Sequence, residues 1–356
     1  MVVLENGEMG GAGSGLLKEE EQQRIMACDE RHRMHLNEQA FTIAERLLRQ
    51  AAALGGTVHE TGGVWVLDCG VQSPGSDAAG LGLTRAALAG AGEVRLLAPG
   101  SPQSAWPECP WPCVHVASHE PVAACLAAQY AGWRIASEGF FAMASGPMRA
   151  AIGREELFDT IGLRERPDVA VGILETAALP PEAVCQDLAA AAGVNPDRLI
   201  LLVARTASRA GTLQVVARSL ESALHKLHAV GFDLARIRGG SGVAPLPPVA
   251  ANDLAAIGCT NDAILYGGSV TLEVVGDDPS LAAIGPLGVS TNSPSFGESF
   301  LHIFDAAGRD FYRVDPALFA PAQLDLINLD TGTRHRFGGL RPDLVASSFA
   351  TAEIRA

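Results

Sequence analysis

At 356 residues, 48% hydrophobic and 19% charged, the chain is long enough for two packed domains and too apolar for global disorder. A formal net charge of -14 argues against nucleic acid or an anionic membrane as the main partner, since both demand a cationic surface, although a local basic pocket stays open. No apolar run approaches the roughly 18 residues that a membrane span needs, and the acidic, Gly-rich N-terminus lacks the basic and apolar regions of a secretory signal. A cytoplasmic protein is expected.

Residues 1–35 carry GEMGGAGSG and KEEEQQR, too polar and glycine-rich to bury much of themselves. They are expected to form a disordered tail, or to precede a true start at Met34. GGAGSG follows no strand and has no Walker lysine and hydroxyl in register, so it is not read as a phosphate loop. From Asn37 a helical pattern begins, with Phe41, Ala44, Leu47, Leu48 and Ala51 at three- and four-residue spacing. A strand at VWVLDCG (Val64 to Gly70), a helix from Asp77 to Leu88 and a strand at EVRLLAP (Glu93 to Pro99) follow, and a Pro-rich connection leads to a helix around Pro121 to Tyr130.

Farther on, VAVGILE (Val169 to Glu175) and LILLVA (Leu199 to Ala204) are apolar runs that suit strands covered on both faces. LDLINLDTGTRHRFG alternates on both sides of Asp330, Thr331 and Gly332, a hairpin signal. The fold class is α/β: two α/β domains with mixed sheets and a pocket between them. The first is placed at 36–155 and the second, with the C-terminal hairpin, at 156–356, with interleaved segments allowed.

Seven cysteines make an odd set without a regular framework, which in an intracellular chain reads as buried thiols. Cys109, Cys113, His115 and His119 offer ligands for zinc, but their spacing matches no zinc ribbon or finger, and Pro107, Pro110 and Pro112 stiffen the stretch. An irregular loop is the preferred reading, and no metal is expected.

The most informative stretch runs from Ala204 to Asp233: it leaves a strand, crosses a hydroxyl-rich turn and enters a long helix. Thr206, Ser208, Gly211 and Thr212 can present hydroxyls and N–H groups to an anion at the helix N-terminus, or simply cap it. Within the helix Val215, Val216, Leu220, Ala223, Leu224 and Leu227 form an apolar face, while Arg218, Glu221 and His225 form a polar stripe. By spacing, Arg218 and Glu221 are either a solvated ion pair or, facing a cleft, a general base and the cation that orients it. His225 and His228 lack a third metal ligand nearby. No nucleophile elbow, kinase or dinucleotide signature occurs in the folded region.

Several separated blocks resemble the methenyltetrahydromethanopterin cyclohydrolase family, in the family's order: HEPVAACLAAQYAGWRI (His119 to Ile135), FFAMASGPMRA (Phe140 to Ala150), the TAS-AG-Q-VAR-LE-ALHKL series from Thr206 to Leu227, GVAPLPPV (Gly242 to Val249) and TNDAILYGG (Thr260 to Gly268). FYRVDPALFAPAQL and the hairpin ending in RFGG extend the resemblance to the C-terminus. It implies reversible hydrolysis of the 5,10-methenyl bridge of a one-carbon-carrying pterin to a 5-formyl product, without metal or redox cofactor, by a homo-oligomer, commonly a trimer. By resemblance Glu221 takes the acid/base position and Arg218 that of its partner. Gln129, Tyr130, Trp133, Ser145, Gly146, Gln214, Lys226, Asn261 and Asp262, with Thr206, Ser208, Gly211 and Thr212, match positions that wall the pterin site.

The chain departs from the pattern at Gly139 and Cys259, where lysine and arginine are common, and at Arg205, Arg209, Met148 and the SPSFGESF segment from Ser293 to Phe300. Those changes bear on substrate recognition. They leave open a second reading: a catalytically silent paralogue that binds a pterin or folate and regulates or scaffolds its pathway. Hydrolysis of a different cyclic amidine is a third.

Overall fold

All six residues of the LILLVA run are buried, because this strand has parallel neighbours on both edges and side chains packed on both faces. In the computed structural model, which describes residues 35–353, the strands in chain order are Thr57–Thr61 (β1), Val64–Asp68 (β2), Glu93–Leu97 (β3), Cys113–Ser118 (β4), Trp133–Ser137 (β5), Phe140–Ser145 (β6), Ala170–Thr176 (β7), Leu199–Ala204 (β8), Ile237–Pro245 (β9), Ser269–Val274 (β10), Gln323–Asn328 (β11) and Arg334–Gly338 (β12). They build two six-stranded sheets, ordered β1-β2-β8-β7-β6-β5 and β12-β11-β10-β9-β4-β3. Both are mixed: β2, β8 and β7 run parallel in the first and β10 and β11 in the second, with antiparallel strands outside them. The α/β class read from sequence is the class observed. The expected tail and the question of Met34 lie outside the described residues.

The division drawn at residue 155 cuts through both sheets. Strands β3 and β4 precede it yet pair with β9, while β7 and β8 follow it yet pair with β6 and β2. Strand order places these segments, and local sequence pattern carries no information about strand order.

Helices Leu36–Arg49 (α1), Asp77–Ala87 (α2), Met148–Ile152 (α3), Glu156–Ile161 (α4) and Glu182–Ala192 (α5) accompany the first sheet's strands in sequence. Two more, Arg209–Val216 (α6) and Ser219–Ala229 (α7), follow β8. The sequence reading expected one long helix here. Instead Arg218 takes φ -89°, ψ 8°, and its N–H bonds back three residues to the Val215 carbonyl at 3.1 Å, which ends one helix and starts the next. The start of α7 presses on β9: a Cβ on Gly242 would lie 2.6 Å from Ser219 Oγ and 2.8 Å from Leu220 N, so only glycine fits there.

The Pro121–Tyr130 helix is also altered. It appears as a π-helical segment, Val122–Gln129, a form rare in general and frequent at functional sites. Asp253–Gly267 (α8), Asp278–Ile284 (α9), Phe300–Ala306 (α10) and Pro342–Glu353 (α11) complete the helices. The main core joins α6 and α7 to β4, β9, β10 and α8 through Leu213, Leu220, Leu224, Val116, Ala244 and Ala263. The expected hairpin is present between β11 and β12, with Gly332 at φ 74°. Among the described residues no helix is long and apolar enough to cross a membrane.

Candidate active site

The helix break aims Arg218 inward. Its Nη1 donates to Glu221 Oε2 at 2.7 Å and to the Gln129 carbonyl at 2.8 Å, and its Nη2 donates to Ser145 Oγ at 2.8 Å and Gln214 Oε1 at 3.1 Å. The Arg218 and Glu221 side chains are only 10% and 8% exposed, so they are not the solvated surface pair that their spacing alone suggests. Glu221 Oε1 accepts the Ala131 N–H at 2.9 Å. Each carboxylate oxygen thus accepts one of these bonds and keeps a second lone pair with which to hold a water or take a proton.

The last carbonyl of the π-helical segment and the two that follow it accept hydrogen bonds from arginines. Arg218 takes that of Gln129, and Arg149 in α3 takes those of Tyr130 at 2.7 Å and Ala131 at 2.5 Å. The Arg149 guanidinium also lies 4.3 Å from the centre of the Tyr130 ring and pairs with Glu155. Tyr130 also meets His225, with ring centres 5.5 Å apart. Burial pulls the His225 pKa down against the attraction of Glu221, with His228, Lys226 and Arg149 adding to the fall. Burial, reinforced by Glu221, pushes the Cys125 thiol well up, so it is no nucleophile.

A second carboxyl stands nearby. Half-buried Glu175, at the end of β7, accepts a hydrogen bond from Thr206 Oγ1. Burial raises its pKa, opposed by Thr206 and the Arg218 charge and assisted by Asp253.

Other residues singled out from sequence make local contacts within the fold. Ser208 caps α6 by accepting the Gly211 N–H at 3.0 Å, and Thr212 Oγ1 donates to the Thr206 carbonyl at 2.9 Å. A Cβ on Gly211 would sit 1.9 Å from the Arg205 carbonyl oxygen, so the turn admits no side chain there. Gly146, at φ 95°, packs against Ile173. Trp133 opens β5 and packs on the core of the first sheet. Lys226 is buried in α7, and burial lowers its pKa against the pull of Asp315. Asn261 bonds the Ile257 carbonyl, while Asp262 ties α8 to α10 and α11 through the Phe300 N–H at 2.8 Å and Ser348 Oγ at 2.6 Å. Cys109 and Cys113 bring their sulfurs to 3.7 Å, and among the described residues no three His, Cys, Asp or Glu gather to hold a metal.

The family model described as Cyclohydrolase (MCH) matches residues 35–349, a span that contains this whole cluster. The chain belongs to that family. It is 44% identical over 323 residues to the methenyltetrahydromethanopterin cyclohydrolase of Methylobacterium sp. (strain 4-46), covering 89% of this chain and 98% of the relative. The protein of the same name from Rhodopirellula baltica (strain DSM 10527 / NCIMB 13988 / SH1) is 42% identical over 292 residues, 81% of this chain and 86% of the relative. That from Methanosarcina barkeri (strain Fusaro / DSM 804) is 36% identical over 323 residues, 90% and 99%.

Five single positions where this cyclohydrolase-family chain departs from the expected pattern make specific local contacts or turns. Arg205 forms a two-pronged pair with Asp253 at 3.1 and 2.8 Å, and Arg209 a similar one with Asp77 at 3.1 and 2.6 Å. Gly139 holds φ 73° in the two-residue link between β5 and β6, a conformation that disfavours lysine. Met148 fills the space over Gly172, where a Cβ would meet its sulfur at 2.2 Å. Cys259 is buried, with its sulfur 3.6 Å from the Ser348 carbonyl oxygen.

Sequence reasoning missed Arg149, Glu175 and the Ala131 N–H. A glutamate closing a fully apolar strand run was a signal for Glu175, since parallel strands present their C-terminal ends to ligands. Arg149 stands in the quoted FFAMASGPMRA block without any local mark of its role.

Proposed function

We propose that this chain hydrolyses 5,10-methenyltetrahydromethanopterin to the 5-formyl pterin, reversibly, with Glu221 as acid/base and Arg218 as its electrostatic partner. The observation that carries the reading is the buried Glu221 carboxylate, held by one backbone N–H and one guanidinium N–H. The names of the relatives supply the substrate.

The chemistry suits a single positioned carboxylate. The bridging carbon of a cyclic amidinium is already electrophilic, so the enzyme must orient a water and manage protons. Water oxygen bonds to the bridging carbon while one of its protons passes to Glu221, which discharges the cation and leaves a neutral carbinol. Glu221 returns that proton to the leaving nitrogen as its bond to carbon breaks. The carbinol O–H then loses its proton to solvent as the formyl group forms, so one proton is released per turnover. The carbon keeps its oxidation state throughout, so the reaction needs no redox cofactor.

Arg218 fixes the rotamer of Glu221 and keeps a positive charge beside it. Trp133 offers a flat face for the pterin, Tyr130 is held between Arg149 and His225, and Gln129, Ser145 and Gln214 hold Arg218 in place. A homo-oligomer, trimeric by resemblance, is part of the same proposal and is read by light scattering.

Absorbance of the methenyl pterin, followed with purified protein and both the tetrahydromethanopterin and tetrahydrofolate carriers, tests the reading. Acceleration above the spontaneous rate with the methanopterin carrier supports it. Tight binding without turnover would instead identify a silent pterin-binding protein, and turnover of the folate carrier alone would reassign the substrate.

A further inference from the structure

We infer that Arg149 is a positioning residue for Glu221, acting through the backbone of Ala131; this rests on the reading of Glu221 as the acid/base. Ala131 is bonded at both of its polar groups: its N–H donates to Glu221 Oε1 at 2.9 Å and its carbonyl accepts from Arg149 Nη1 at 2.5 Å. The same Nη1 holds the preceding carbonyl, that of Tyr130, at 2.7 Å, so one guanidinium nitrogen spans two successive peptides. Their orientation sets where the Ala131 N–H points.

The Tyr130 ring packs against the main core and His225, so backbone bonds are what remain to fix the peptides that follow it. Residues 130–132 belong to no helix or strand, lying between the end of the π-helical segment and β5. Gly132, at φ 95°, has no atom within 4 Å of where a Cβ would be. A further tether is the Tyr312 hydroxyl on the Gly132 carbonyl at 2.6 Å, but Tyr312 is 67% exposed. Arg149, in contrast, is 3% exposed. A buried guanidinium is costly unless its nitrogens are paired, and here Nε and Nη2 donate to Glu155 while Nη1 donates to both carbonyls.

The route by which Arg149 arrives strengthens the case. Strand β6 ends at Ser145, the chain turns at Gly146, and α3 begins at Met148. Ser145 Oγ accepts from Arg218 Nη2 at 2.8 Å, and four residues later Arg149 reaches the Ala131 carbonyl. One strand-turn-helix unit therefore controls the two groups that donate to Glu221, steering Arg218 on one oxygen and the Ala131 N–H on the other. A carboxylate with a loose N–H donor keeps its charge partner but loses its aim, and misplacement by about 1 Å costs up to roughly 100-fold in rate.

The test compares R149K, G132A and E155Q with the unaltered protein, reading kcat, KM, the pH dependence of kcat and thermal stability, with E221Q alongside. R149K is expected to lower kcat about 10- to 100-fold with KM changed less than threefold, and to move the acid limb of the kcat profile to higher pH, because a carboxylate that loses a hydrogen-bond donor is protonated more readily. G132A strains the same segment from its solvent side and is expected to show the same signature in weaker form. E155Q, which weakens the ion pair but leaves both carbonyl bonds, is expected to lower stability more than kcat. If E221Q retains full turnover, the reading of Glu221 itself fails. If E221Q is inactive while R149K keeps the unaltered kcat and pH profile, only the present inference is overturned. Should R149K not fold, G132A decides: an unchanged kcat and profile there overturns the inference.

Discussion

Arg218 Nη1 lies 2.7 Å from Glu221 Oε2 and 2.8 Å from the Gln129 carbonyl oxygen, so one nitrogen joins the end of the π-helical segment to the carboxylate three residues along. Removing that nitrogen strands both acceptors. Arg218→Ala is expected to cost about 3–5 kcal/mol of stability, as for a buried ion pair that loses one member, and to abolish measurable turnover. Urea unfolding with the absorbance assay checks this; a fully active, equally stable variant would show that the pair is dispensable.

Glu221→Gln preserves an acceptor for the Ala131 N–H but turns an amide NH2 or a non-basic oxygen toward the water. The expected fall in kcat is at least about 100-fold, the usual contribution of a positioned acid/base. Steady-state kinetics decide, and full turnover would mean that another group, with Glu175 a candidate because it feels the Arg218 charge, moves the proton.

Arg205 and Arg209 are predicted to be structural. Their pairs with Asp253 and Asp77 are partly exposed, with the arginine side chains 37% and 60% accessible. Arg205→Ala and Arg209→Ala should each change stability by no more than about 1 kcal/mol and leave kcat and KM within twofold. A large rise in KM for either would place it in substrate recognition after all.

Met148 and Gly172 should behave as a coupled pair. Gly172→Ala places a methyl against the Met148 sulfur and against Leu201, and over-packing of this kind costs about 1–3 kcal/mol. Combining it with Met148→Ala should give a double variant more stable than the sum of the two single losses, because truncating Met148 makes room for the methyl and the methyl fills part of the space left. Simple additivity in a double-mutant cycle would count against the packing described.

Asp262 gives a pH signature. Its carboxyl is pushed from 3.8 up to about 6, chiefly by burial, against the bonds from Ser348 and the Phe300 N–H. The folded state therefore holds this proton more tightly than the unfolded chain does. The resulting stability is fully present below pH 3.8 and is lost as pH rises through about 6. Asp262→Asn cannot titrate, so it should gain on the unaltered protein by up to about 3 kcal/mol between pH 4 and 7. Unfolding curves for both across that range measure the difference, and a constant gap would refute the assignment.

Local pattern carried much of the fold. LILLVA became β8 over its full length, VWVLDCG and VAVGILE became β2 and β7, and the Asp330 to Gly332 turn joined β11 to β12. Each of these depends on residues within a few positions of one another: apolar run length, alternation, and a glycine able to hold positive φ. The Ser208 cap was legible for the same reason. The break between α6 and α7 was not, because it answers to Gly242 on a strand that follows in the chain and packs beneath Ser219.

The sequence by itself determined that Arg218 and Glu221 are close enough to pair, since residues three apart meet on a helical turn, although Arg218 proves to cap α7 rather than lie within it. It determined, through separated matching blocks, the family to which the chain belongs. Only the tertiary structure decided that the pair is buried and that its partners are Ser145, Gln129 and Ala131, which lie 73, 89 and 90 residues away along the chain. Partners that distant are brought together by strand order and by the π-helical ending of one segment. Those arise from the packing of the whole chain, and no window of sequence around either residue contains them.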